Sequence, residues 1–130
     1  MIFFGHRFIK NIRFYHVLSQ EAILKTPPSS VLYTEFSENS LELINYIYLN
    51  NMPLALYVKN ITEALYASSF NAKYIVVRKE IAKEVQKVAN EYLLDAKILA
   101  FIEDEEDIKE LAQDGVDGVI FGEAIVKTVA

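Results

Sequence analysis

Five points in the chain set reactive or charged side chains just past a short apolar run. They are Glu35, Lys59 with Asn60, Arg78 with Lys79, Glu103 with Asp104, and Gly122 with Glu123. Lys59 and Arg78 are suited to an anion, Arg through a bidentate fork and Lys as a point charge. Glu35 and Glu103 could serve as acid and base, with pKa values set by mutual distance and burial. The same residues have a plainer role. A chain leaving a buried strand turns polar where it meets water, and Asn60 and Asp104 are good helix caps.

Other chemistries find less footing. The run Glu103-Asp104-Glu105-Glu106-Asp107 suggests a divalent cation, but consecutive side chains on a helix point in different directions. Five acids in a row better complement the positive end of a helix macrodipole. His6 and His16 are the only histidines and the chain has no cysteine, so a zinc site lacks ligands and no thiol nucleophile exists. Ser29-Ser30 and Ser68-Ser69 lack a G-x-S-x-G frame. Four glycines cannot be arranged into either glycine-rich nucleotide-binding pattern. No metal and no cofactor is expected.

The elements that would position these residues follow from periodicity. Apolar runs rich in β-branched and aromatic residues occur at Ile12 to Val17, Val31 to Phe36, Leu54 to Val58, Tyr74 to Val77, Ile98 to Ile102 and Val119 to Phe121. Their even spacing, with helical patterns in most gaps, is that of consecutive βα units. Ser37 can cap a helix over Glu38 to Leu49, and Asn60 with Glu63 opens one reaching Ser69. A helix over Lys79 to Leu94 carries Ile81, Val85, Val88, Ala89, Tyr92 and Leu93 as one apolar stripe. Asp104 can cap a last helix that Gly115 ends. The least secure elements are the first strand and its short partner helix, Ser19 to Leu24, and residues 1 to 10 could form an edge strand or an exchanged arm.

This pattern predicts a single α/β domain over residues 1–130, with 1–30 as an N-terminal arm or first unit. Right-handed crossovers would give an open, mostly parallel sheet of five or six strands with helices on both faces, a three-layer αβα sandwich. Six units are too few for a closed eight-unit barrel. In such a sheet the five points above would gather at the carboxyl ends of the strands, where Glu35, Lys59, Asn60, Arg78, Glu103 and Gly122 are the candidate ligand-binding set.

Composition bounds the partners. The net charge of -5 lies wholly in the second half, which argues against nucleic acid and anionic membranes. An N-terminal exception holds Arg7, Lys10, Arg13 and Lys25 against Glu21, interleaved with phenylalanines. Those charges read best as protection of an edge strand. Met1 to Phe4 is too short for a signal peptide, and no run approaches a membrane span, so a cytoplasmic protein is expected, in keeping with the absence of cysteine. Tyr46, Tyr48, Tyr57, Tyr66, Tyr74 and Phe70 make an aromatic-rich middle section. An exposed subset of these could form a homodimer interface.

Two partial resemblances appear. Lys97 to Val126, ending Gly122-Glu123-Ala124-Ile125-Val126, resembles the last β-α-β of phosphate-binding (βα)8 barrels, in which a glycine turn opens a short phosphate-holding helix. Glu123 departs from that pattern, because its carboxylate would repel a phosphate. The unit count resembles the receiver and flavodoxin-like folds, with Glu35, Arg78 and Glu123 where receivers carry acids, an Asp and a Lys. That resemblance implies a fold and no phosphorylation chemistry. The expectation is a non-catalytic module that self-associates or binds a partner; the competing expectation is an enzyme or sensor for a small anionic metabolite. Lys59, Arg78, Glu35 and Glu103 converging on one cavity would favour the second. A rim plugged by Phe121 or residues 124–130 would favour the first.

Overall fold

The computed structural model, which describes residues 1–128, has eight parallel strands and five α-helices, which alternate from β2 to β7. The strands are β1 (Ile2–Phe4), β2 (Phe14–His16), β3 (Val31–Glu35), β4 (Leu54–Tyr57), β5 (Tyr74–Arg78), β6 (Lys97–Phe101), β7 (Gly118–Ile120) and β8 (Ile125–Lys127). The helices are α1 (Gln20–Ile23), α2 (Leu41–Leu49), α3 (Ile61–Ser69), α4 (Lys79–Glu91) and α5 (Asp107–Gln113). The parallel α/β architecture agrees with the sequence pattern. The strand count does not, because β1 and β8 are three-residue strands too short to show a period. Of the two alternatives for residues 1 to 10, the chain adopts the edge strand.

The strands lie in the order β1-β7-β6-β5-β4-β3-β2-β8, so β2 to β7 follow chain order without a reversal. β7 and β8 stand six strand positions apart in that order, yet only Phe121–Ala124 connects them. In a flat sheet six spacings measure about 29 Å, whereas five residue steps of chain reach at most about 18 Å. The sheet must therefore curl. The curl brings the Phe4 ring of β1 to 4.9 Å from Phe14 of β2, and both rings meet Tyr74 at 5.3 and 5.0 Å. No pairing joins β1 to β8 among the described residues, so the curled sheet remains open.

Strand alternation then divides the core in two. Phe4, Phe14, Val31, Tyr33, Ala55, Tyr74, Val76, Leu99 and Ile120 fill the concave side. The intervening residues, including Leu32, Leu56, Ile75, Val77, Ile98 and Val119, meet the helices on the convex side. Every helix places its buried residues in this outer cluster: Ala22, Ile44, Ala67, Val85 and Leu111 are examples from α1 to α5. Helices on both faces, the three-layer sandwich and the switch point of a flavodoxin or receiver sheet are thus corrected. A tightly curled sheet has room on its inner side only for its own side chains.

Local details also differ from the pattern. The face that α4 buries is Ala82, Val85, Gln86 and Ala89, and the helix ends at Glu91, which leaves Tyr92 and Leu93 in solvent. Gln86, 3% exposed, is held by polar contacts. Its Oε1 accepts from the Asp117 N–H at 2.9 Å, and Asp117 Oδ2 accepts from Gln86 Nε2 at 3.2 Å and the Ile98 N–H at 2.9 Å. This clamp fastens α4 to the amino ends of β6 and β7. No helix is long and apolar enough to cross a membrane, among the described residues.

Gly118 sits where β7 lies between β1 and β6, and a Cβ there would come to 2.6 Å from the Ile2 carbonyl oxygen and 2.8 Å from Leu99 Cδ2. Gly118→Ala should lower stability by about 1–3 kcal/mol in urea unfolding. Gly122→Ala, whose Cβ would find only Phe101 at 3.9 Å, should change it by no more than about 0.5 kcal/mol.

Candidate functional site

Parallel curled sheets expose their strand carboxyl ends, and the loops that follow them, at one mouth. The residues singled out by the sequence all reach this end, but they do not meet at one point. Arg78 and Glu103 share a cavity of about 310 Å³ with Lys79 and Asp107. Glu103 and Gly122 share another of about 440 Å³ with Phe101 and Phe121. Glu35 lies apart, in a third of about 390 Å³. Lys59 joins none of these. Asn60 is engaged as a cap, its side chain accepting the Glu63 N–H at 2.8 Å while the Glu63 carboxylate accepts the Lys59 N–H at 3.0 Å.

A further cavity at this end, of about 910 Å³, is acidic. Glu103, Asp104, Glu105, Glu106 and Glu123 line it with Arg7 and His6. Arg7 is already engaged, since its Nε and Nη2 donate to the two Glu105 oxygens at 2.8 and 3.1 Å. That hydrogen bond holds the Glu105 carboxyl below its ordinary range. His6 completes the knot. Its Nδ1 accepts the Phe8 N–H at 3.1 Å, its Nε2 lies 3.1 Å from Glu105, and its ring meets Phe121 edge-on at 5.5 Å.

The turn after β7 does not form the phosphate-holding helix that the barrel resemblance implies. Gly122–Ala124 makes one 3-10 turn, Glu123 faces the acidic opening, and Ala124 is buried in the concave core. That turn therefore closes part of the mouth from within. Of the expected plug at 124–130, residues 129 and 130 lie outside the described residues.

A second cluster, around β2 and β3, escaped the sequence reading apart from Glu35. His16, Tyr33, Glu35 and Tyr57 come from neighbouring strands on the concave side, and Lys127 on β8 is in register with His16. The His16 ring stands edge-on to Tyr33 at 5.2 Å. Burial lowers the His16 pKa, against an opposing pull from Glu35 and with a smaller push from Lys127. Burial also raises the Tyr33 phenol well above its usual range, helped by Glu35 and Tyr57. The signal was present in the sequence. Tyr33 and Glu35 are two residues apart on one strand, and the expectation of helices on both faces of an open sheet obscured their common face.

The arrangement offers a neutral imidazole, able to donate and accept, close to a carboxylate and two phenols. It brings no pair of cations together, and among the described residues no group of His, Asp and Glu side chains is placed to hold a metal ion. No protein-family model and no curated protein matches this chain.

A histidine with a folded pKa below its unfolded value binds fewer protons in the native state, so stability is lost as pH falls below about 6.5. Urea unfolding of the wild type should show decreasing stability from pH 7 to pH 5.5. His16→Asn should flatten that part of the profile, and an unchanged slope would place its origin elsewhere.

Proposed function

We propose that the protein is a non-catalytic module that pairs with a second copy of itself through the aromatic face of α2 and α3. One observation carries this reading. Tyr48 on α2, Phe70 at the end of α3, Phe36 before α2 and Tyr66 on α3 form a continuous ring seam, with centroids 6.0, 6.5 and 5.9 Å apart in turn. Tyr66 is 52% exposed and Tyr48 37%, so the seam reaches the surface.

The charge pattern supports a second copy as the occupant. Between Leu41 and Phe70 the charged residues are Glu42, Lys59 and Glu63, in a chain that is 24% charged. A surface so poor in charge can meet its own image without repulsion, although the whole chain carries -5. Tyrosine suits such a face because it brings contact area at low conformational cost together with a polar tip. The cysteine-free composition suits a reducing cytoplasm as the place of work.

The competing reading, a small anionic metabolite bound by Lys59 and Arg78, has less support. Lys59 lines none of the cavities described above, and the cavity that includes Arg78 and Lys79 also contains Glu80, Glu103, Asp104 and Asp107.

Sedimentation velocity tests the pairing. The wild type is expected to run as a dimer that dissociates on dilution. Tyr66→Asp should weaken association by about 30-fold or more, as expected for loss of a central aromatic anchor. Leu93→Asp, beyond the end of α4, should leave it unchanged. A monomeric wild type at high concentration would overturn the reading.

A further inference from the structure

We propose that the cavity between the ends of β2 and β3 is a binding site for a small organic amine, a cation with a short branched apolar body. Its walls are His16 at the end of β2 and Leu18 beyond it, Thr34 and Glu35 on β3, Ser37, Asn39 and Ser40 leading into α2, and Leu43 on α2. At about 390 Å³ it falls in the size range of small-molecule sites.

Unspent hydrogen-bonding capacity points to a ligand. Ser37 and Ser40 are committed to each other, and the Ser40 hydroxyl also donates to the Glu35 carbonyl at 2.7 Å. The side chains of His16, Thr34, Glu35 and Asn39 have no hydrogen-bond partner among the described residues. Thr34 is the notable case. It is 2% exposed, one of two buried polar residues in the chain's core, and it lines this cavity. The other, Gln86, is fully engaged in its clamp. No buried side-chain polar atom is left unsatisfied among the described residues, so the Thr34 hydroxyl, with no protein group to bond, opens onto the cavity, where water or a ligand supplies its partner.

The chemistry of the walls selects the occupant. Glu35 is the one charged residue lining the cavity, and Lys127, in register with His16 on β8, lies outside the lining. The unengaged groups are rich in acceptors: a carboxylate, a hydroxyl, an amide oxygen and an imidazole nitrogen left neutral by burial. An ammonium group, with three donors and a positive charge, satisfies them and pairs with the Glu35 carboxylate, which repels a carboxylate or phosphate even though the hydroxyl, amide and imidazole could donate to one. Leu18 and Leu43 provide apolar contact for a short alkyl body. The site does not depend on whether the α2–α3 face pairs.

The test is a 1H-15N correlation titration with three probes of one shape: 3-methylbutylamine, 3-methylbutan-1-ol and 3-methylbutanoate. The amine is expected to give saturable shifts confined to the amides of residues 16–18 and 34–43, with an affinity at least tenfold above that of the carboxylate. Glu35→Gln, at an exposed strand end, should retain a folded spectrum and lose the preference for amine over alcohol. Thr34→Val should weaken the amine severalfold; a poorly dispersed Thr34→Val spectrum would leave the Glu35→Gln comparison to decide. Binding of the alcohol or the carboxylate as tight as that of the amine, or shifts scattered away from these residues, would overturn the proposal.

Discussion

The structure depends on a short connection. Four residues, Phe121–Ala124, join strands six positions apart in the sheet order, and that length of chain is sufficient only if the sheet rolls up. Rolling requires a filling of suitable size, and Phe4, Phe14 and Tyr74 supply it as three mutually contacting rings. Gly118 lets β1 lie close against β7 at the same seam. Gly5, with φ of +79°, turns the chain beside Ala124.

Curling decides where anything can bind. With the concave side filled and the helices all outside, the larger of the cavities described lie in the loops at the strand carboxyl ends. The two sides of that mouth differ. On the β1 and β7 side, carboxylates predominate and the nearby cation, Arg7, is held by Glu105. On the β2 and β3 side, a single carboxylate stands among neutral acceptors. At the opposite end the Gln86–Asp117 clamp is a structural contact, and a smaller cavity of about 170 Å³ is lined by Pro27, Ser30 and Pro53. That division of labour between the ends is common in parallel barrels.

Much of this was legible from residue types alone. The six central strands and the larger helices follow from apolar periodicity, and Asn60 with Glu63 forms the cap that its spacing implies. The candidate residues after each strand do lie at one end of the sheet. Their grouping was not legible: Arg78 and Glu103 line one cavity because β5 and β6 are paired neighbours, whereas Lys59, which follows β4, lines none of the cavities described above. The misread stripe of α4 has a local cause. Tyr92 and Leu93 continue the period, but the helix ends at Glu91 and Leu93 takes a left-handed conformation, with φ of 52°.

Sequence by itself determined the local elements and their parallel succession, since period and capping depend on residues a few positions apart. Only the tertiary structure decided that β1 and β8 exist, that the sheet curls and that the helices take one side. Those outcomes rest on contacts between residues far apart in the chain: Phe4 with Tyr74, Ile2 with Gly118, His16 with Lys127. A three-residue strand has no detectable period of its own and is defined by the neighbour that pairs with it. The same holds for the cavity beside Thr34, whose walls come from β2, β3 and the approach to α2, and become neighbours only once the strands have paired.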